Sequence, residues 1–232
     1  MPKTYVIIPT YNEAENIEGL LKAILNLKIE GLVPVVVDDN SPDSTGQIAQ
    51  KIPGIKVIIR TKDRGRGRAG IAGFQFALKE GADYIIEMDA DFSHHPKYIP
   101  DLLKHIQNYD VVLGSRFVPG GKDIDRSFIR QIVTKFAQTY IKLILGLKVK
   151  DPTSGYRCFK RKVLEALPLD KMISVGPPIV SEILYNVKLK GFSIYETPIV
   201  FEDRTRGETK LNIGVLLKTL YLVLKFRTMY KK

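Results

Sequence analysis

Tyr84-Ile85-Ile86-Glu87-Met88-Asp89-Ala90-Asp91 is the stretch on which the fold turns. A short apolar run reads as a strand over 84–88, and it stops on two carboxylates one residue apart. The chain around it repeats the arrangement. Residues 5–9, 33–37 and 56–60 read as strands before it, and 111–114 as a strand after it. Helical spacing fills the gaps: 13–27, where Ile17, Leu20, Leu21, Ile24 and Leu25 recur on one face, then 45–51, 69–80 and 97–107. Residues 40–44 carry turn chemistry. Short, fully apolar strands alternating with helices predict the α/β class, with a mostly parallel sheet covered by helices on both faces.

Ligands of such sheets bind beyond the carboxyl ends of the strands. Here those ends read Pro9-Thr10-Tyr11-Asn12-Glu13, Asp38-Asp39, Asp63-Arg64-Gly65, Asp89-Ala90-Asp91 and Gly114-Ser115-Arg116. Four of the five carry acids, which repel one another unless they bind a cation or hydrogen-bond a sugar. Asp89 and Asp91 flank one residue, so one hard ion such as Mg²⁺ or Mn²⁺ could meet both, together with substrate phosphates. Helix capping is the competing use of an acid here, and it is the expectation for Asp43. Gly65-Arg66-Gly67-Arg68-Ala69-Gly70 fits the dinucleotide pattern, but it follows the third strand rather than the first. It is read as a loop opening a helix, with arginines near a nucleotide. His94 and His95 lack a third histidine or a cysteine at ligand spacing, so they are expected to be ordinary loop residues. Cys158, the single cysteine, is expected to be a small buried residue, and it excludes an intrachain disulfide.

The second half changes character. Helices are expected at 127–147, 178–190 and 211–228, a loop at 151–157 and a strand at 193–197. Residues 1–121 hold 14 basic and 15 acidic side chains, whereas residues 122–232 hold 22 and 10. The second half alone therefore carries +12, a charge suited to nucleic acid, an anionic membrane surface or phosphorylated substrates. A nucleic-acid module is the weaker choice: there is no aromatic stacking platform or reader motif, and it leaves the acidic strand ends unexplained. Arg116, Arg126, Arg130, Arg204, Arg206 and Lys210 suit phosphate oxygens, although Arg126 and Arg206 fit a solvated face equally well. The 232 residues, 44% of them apolar, suit one domain or one and a half. The longest uncharged run is ten residues. A spanning helix needs about 20, so no transmembrane span is expected. The N-terminus shows no signal-peptide pattern, and cytosolic exposure is expected.

These motifs resemble family 2 of the GT-A glycosyltransferases and, within it, the dolichyl-phosphate mannosyltransferase branch. The opening Pro9-Thr10-Tyr11-Asn12-Glu13 and Asp38-Asp39-Asn40-Ser41-Pro42-Asp43 are similar to the family at large. Asp89-Ala90-Asp91-Phe92-Ser93-His94-His95-Pro96 resembles the branch's form of the D-x-D motif. Gly114-Ser115-Arg116-Phe117, Gly120-Gly121, Arg130 with Thr134, Asp151-Pro152-Thr153-Ser154-Gly155-Tyr156-Arg157, and Arg204-Thr205-Arg206-Gly207-Glu208-Thr209-Lys210 continue the likeness. The resemblance implies a GT-A (Rossmann-like) catalytic domain over 1–210. Its nucleotide-sugar half would be 1–116 and its acceptor half 117–210, with an amphipathic helix at 211–232. It implies that Pro9, Tyr11, Glu13, Val37, Asp38 and Asp39 hold the guanine nucleoside. Asp89, Ala90 and Asp91 would hold the metal and diphosphate, with Ser93 as a further metal ligand. Arg116, Arg130 and Thr134 would hold the acceptor phosphate, and Arg204 and Lys210 would close over the donor. Asp91, Arg116 and Arg130 would be the catalytic set.

The implied reaction is inverting transfer of mannose from GDP-mannose to dolichyl or other polyprenyl phosphate, with Mg²⁺ or Mn²⁺. A UDP-glucose-type donor is the alternative. Other members carry membrane spans or borrow a small membrane subunit. With no span expected here, the helices at 127–147 and 211–228 are expected to lie on the cytoplasmic face of an anionic membrane. Plain core packing is the competing expectation for 211–228. No nucleic-acid partner is expected.

Overall fold

The structure is a computed structural model that describes residues 2–124, 128–202 and 213–230, the side chains of 128–131 and 213 excepted. The first half follows the expected alternation. Strand β1 (Thr4–Thr10) leads to α1 (Ala14–Leu25), β2 (Leu32–Asp38) to α2 (Thr45–Gln50), and β3 (Lys56–Ile59) to α3 (Arg66–Lys79). Then come β4 (Tyr84–Glu87), α4 (Ile99–His105) and β5 (Val111–Ser115). Neighbouring residues of one strand enter opposite cores, which is why these strands are apolar along most of their length. Val6, Ile8 and Val36 pack with Ile17, Leu20, Leu21 and Ile24 of α1 on one face. Tyr5, Ile7, Val35 and Val37 pack with Phe74 of α3 on the other. Each such fully buried aliphatic side chain contributes about 1.5–3 kcal/mol.

The second half contributes β6 (Lys122–Ile124), α5 (Phe128–Leu145), β7 (Arg157–Lys160) and α6 (Arg161–Ala166). It continues through α7 (Ile179–Leu189), β8 (Ile194–Pro198), β9 (Val200–Glu202) and α8 (Ile213–Met229). The main sheet runs β3-β2-β1-β4-β7-β5-β8. All its pairings are parallel except those of β7, which runs antiparallel to β4 and to β5. Strands β6 and β9 form a separate parallel pair.

Two expectations need correction. The segment expected to be a loop at 151–157 ends by entering the sheet as β7, whose four residues begin with Arg157, end with Lys160 and show no readable alternation. The helix expected from residue 69 begins at Arg66, inside the glycine-rich segment. Two glycines in the first turns lower its intrinsic propensity, but the Gly67 amide is held from outside by the Val175 carbonyl at 2.7 Å. No described helix is long and apolar enough to cross a membrane.

Candidate active site

Register brings the acidic strand ends to one rim: Thr10 pairs with Asp38 across β1 and β2, and Ile7 with Glu87 across β1 and β4. The neighbouring acids there have different work. The Asp38 carboxylate is 1% exposed and is consumed inside the protein. It accepts the Thr10 hydroxyl at 3.0 Å, the Ser41 hydroxyl at 2.6 Å and the Ser41 amide at 2.8 Å. Asp39 turns the other way. Its Oδ2 accepts the Gly65 amide at 2.5 Å, and its Oδ1 pairs with Arg60. Asp43 is a cap, as expected, accepting the Ala14 and Thr45 amides and the Thr45 hydroxyl. Burial raises its pKa, but those hydrogen bonds outweigh burial and hold it below the usual range.

Tyr11 is partly exposed, and Arg64 stacks on its ring at 4.9 Å. Glu13 precedes α1 and accepts the Asn16 side-chain amide at 3.0 Å, while its own amide donates to the Thr45 hydroxyl at 2.9 Å. Pro9 is half-buried near the end of β1. Val37 sends its side chain into the core, so only its main chain can meet a base.

Asp89 and Asp91 follow β4, and Ala90 between them is buried. The Asp89 carboxylate remains 37% exposed. Its Oδ1 takes Arg66 Nη2 at 2.9 Å, and Arg66 Nη1 reaches Glu87 at 3.1 Å. Arg157, fully buried, pairs with the other oxygen of Glu87. An alternating chain Arg157–Glu87–Arg66–Asp89 therefore runs from the interior to the rim. Breaking a buried pair of this kind costs about 3–5 kcal/mol.

The Asp91 carboxylate accepts the Ser93 hydroxyl at 2.6 Å and the Ser93 amide at 3.2 Å, so Ser93 orients it. Phe92 between them holds φ at 62°, a strained setting for an aromatic residue. His94 is buried beneath, stacked on Tyr156 at 5.1 Å, and its Nδ1 accepts the Asp89 amide at 3.0 Å. Burial lowers the imidazole pKa, and the accepted amide leaves the proton on Nε2. His94 is thus a support for Asp89 rather than an ordinary loop histidine. Gly155 faces this cluster: a Cβ there would lie 2.7 Å from Arg66 Nη2 and 3.2 Å from the His94 ring.

Among the described residues no three His, Cys, Asp or Glu side chains converge on a metal by themselves. Asp89 and Asp91 nevertheless offer the hard oxygen donors that Mg²⁺ and Mn²⁺ take when substrate phosphates complete the shell. The donor set fits a divalent ion that arrives with a diphosphate.

Arg116 follows β5 directly and is 7% exposed. Its Nε and Nη2 grip Asp151 at 2.8 Å each, and Nη2 also donates to the Thr153 hydroxyl at 2.8 Å. Two nitrogens of its fork are therefore committed within the chain, and Nη1 lies 3.9 Å from Asp123. Gln138 of α5 donates to Asp151 and Thr153, at 3.1 Å each. Thr134, half-buried, precedes Gln138 by one turn, and the backbone position of Arg130 by two. The Arg130 side chain lies outside the described residues, as do Arg126, Arg204, Arg206 and Lys210. The roles of Glu87, Arg66, Arg157, Asp151 and His94 are what sequence reasoning missed. Arg66, His94, Asp151 and Arg157 stand inside motifs quoted above, but nothing in the sequence says which charge each meets, and Glu87 is a lone charge inside an apolar strand. Cys158 is buried, as expected.

A mostly parallel sheet with acids at its carboxyl rim and one reversed strand is the arrangement of the GT-A fold. The chain belongs to glycosyl transferase family 2, whose pattern matches residues 5–167. It is 38% identical over 218 residues to an undecaprenyl-phosphate mannosyltransferase of Micrococcus luteus, covering 92% of this chain and 89% of the relative. It is 40% identical over 235 residues to a dolichol-phosphate mannosyltransferase of Pyrococcus furiosus, covering 97% of this chain and 64% of the relative. The fold is similar to glucosyl-3-phosphoglycerate synthase from Mycobacterium tuberculosis, solved with Mn²⁺, UDP and glucosyl-3-phosphoglycerate. That likeness has a TM-score of 0.75 and 19% identity, over 97% of this chain and 80% of the synthase.

Proposed function

We propose that this protein transfers mannose, with inversion, from GDP-mannose to the phosphate of a polyprenyl phosphate such as dolichyl phosphate. The observation that carries the reading is the pair Asp89 and Asp91 at the rim, one braced by Arg66 and His94 and the other by Ser93. The relatives named above support mannose and a polyprenyl phosphate. Asp89 and Asp91 would hold Mg²⁺ or Mn²⁺, with Ser93 beside them. When bound, the ion supplies Lewis-acid stabilisation of the leaving diphosphate.

The chain's own residues do the rest. Tyr11, Glu13 and Asp39, with Pro9, the main chain of Val37 and Asp38 behind them, frame the nucleoside. Ala90, packed in the core between the two carboxylates, anchors the segment that carries them. A lipid monophosphate is anionic at neutral pH and needs aim rather than a general base. Arg130 and Thr134 aim it, with Arg116 fixed beside them by Asp151. Arg204 and Lys210, which lie outside the described residues, would close over the donor. Residues 1–116 would form the donor side and 117–210 the acceptor side, followed by the segment 211–232 that carries α8.

The acceptor's tail implies a membrane surface. Helix α5 exposes Ile132, Val133, Phe136 and Leu143, and α8 exposes Leu217, Tyr221 and Leu224, with Leu143 at 73% and Tyr221 at 63%. The two helices meet through the Tyr140 hydroxyl, which donates to the Leu220 carbonyl at 3.1 Å. Leu222, Val223 and Phe226 of α8 are buried, so that helix packs on the core with one face and is open on the other. Beside a half-chain charge of +12, this open apolar face suits the anionic cytoplasmic leaflet, alone or with a small membrane subunit. The donor base is tested by calorimetric titration of GDP-mannose and UDP-glucose in Mn²⁺. GDP-mannose is expected to bind at least tenfold more tightly, and preference for UDP-glucose would overturn the donor assignment.

A further inference from the structure

Glu182, in the first turn of α7, is fully buried. Its carboxylate accepts three hydrogen bonds: the Ile173 amide at 2.9 Å, the Ser174 amide at 2.9 Å and the Tyr230 hydroxyl at 2.6 Å. A buried carboxylate persists only when donors surround it in this way. Its two main-chain donors fix residues 173–174. The next carbonyl, that of Val175, accepts the Gly67 amide at 2.7 Å.

The contact is close as well as hydrogen-bonded. A Cβ on Gly67 would lie 2.5 Å from the Ser174 carbonyl oxygen, and one on Gly65 would lie 2.6 Å from the Val175 side chain. Gly65 also holds φ at 134°, where a side chain is strained. Residues 174–175 therefore rest on bare backbone at 65–67. That backbone serves the rim: the Gly65 amide donates to Asp39 at 2.5 Å, and Arg66 bridges Glu87 and Asp89.

We propose that Glu182 is a positioning residue for the donor site, acting through residues 173–175 on the backbone of 65–67, and that Tyr230 ties this brace to the seating of α8. The contacts form one path from the end of α8 to Asp39 and Asp89. The proposal rests on the reading of the rim as a metal–nucleoside diphosphate site. It assigns Glu182 no contact with substrate.

The test uses the full chain with Tyr230→Phe and Glu182→Gln, read by three measurements: GDP titration in Mn²⁺, amide hydrogen exchange and thermal unfolding. Tyr230→Phe is expected to weaken GDP binding about three- to tenfold, since only part of the loss of one hydrogen bond to a charged group is passed on to the rim. Exchange should quicken at 173–175 and also at 65–67, with Tm lowered by no more than about 4 °C. Glu182→Gln is expected to do more of each, and if it fails to fold, Tyr230→Phe carries the test. Unchanged GDP affinity in Tyr230→Phe would overturn the proposal, as would faster exchange that stops short of 65–67. A wild-type chain that binds neither GDP nor UDP would overturn the proposed function, and exchange at 65–67 would still decide the brace.

Discussion

Asp38 and Asp39 are adjacent carboxylates where β2 ends, yet only the structure separates their work. Sequence reading places both at the donor, because a strand-end carboxylate has the same signature whichever way it turns. Asp38 accepts three internal hydrogen bonds, whereas Asp91 is held by Ser93 at the rim. Asp38→Asn is therefore expected to lower Tm by about 5 °C, since hydrogen bonds to a charged group contribute about 1.5–3 kcal/mol. Asp91→Asn is expected to leave Tm within about 2 °C of wild type while cutting mannosyl transfer by about 10³-fold, the share of a metal ligand. Calorimetry beside steady-state rates checks both, and the reverse pattern would exchange the two roles. The Arg157–Glu87–Arg66–Asp89 chain was not legible for a similar reason. Each member lies far from its partner in sequence, and a lone charge in an apolar run says only that some partner exists.

The strands and helices with a full period were legible: β1, β2, β4 and β5 carry continuous apolar runs, and α1, α5 and α7 carry an apolar face. Strand β7 was not, because four residues of which the first and last are charged give no pattern, and its place in the sheet is set by Glu87 meeting Arg157. The small pair of β6 and β9, three residues each, escapes for the same reason. Edge elements also need fastening. Asp110, just before β5, accepts the amide and hydroxyl of Ser193 at 3.0 and 2.8 Å, pairs with Lys162 at 2.7 Å, and so ties β5 to the start of β8. Burial raises its pKa, but Lys162 and Ser193 outweigh burial and bring it down to about 2. A depressed carboxylate pKa stabilises the fold above the unfolded value, and the stabilisation is lost as pH falls through the folded one. Asp110→Asn is expected to lower Tm by about 2–4 °C at neutral pH. The gap should narrow below about pH 4 and close near pH 2. A gap that stays constant with pH would contradict the ionised role.

At the scale of the whole molecule, the proposed reaction asks the rim and the exposed face of α5 and α8 to act together, since the acceptor's phosphate would reach the rim while its tail stays in a bilayer. The +12 of the second half was legible from composition, whereas the exposure of Leu143, Leu217 and Tyr221 follows from how α8 packs on α5. Cosedimentation of the full chain with anionic vesicles is expected at low salt and lost at high salt. Phe136→Glu combined with Leu217→Glu should abolish it without changing GDP affinity, and vesicle binding by that variant equal to wild type would place the membrane contact elsewhere. The central claim, metal-assisted mannosyl transfer from a nucleotide donor to a lipid phosphate, is tested most directly by one assay. Radiolabelled GDP-mannose is incubated with the purified chain and vesicles containing dolichyl phosphate, with Mn²⁺ or with excess EDTA. Lipid-extractable β-mannosyl phosphate that forms with Mn²⁺ and falls to background with EDTA is the predicted result. Label that never enters the lipid phase with Mn²⁺ present, or enters it equally well in EDTA, would contradict the account.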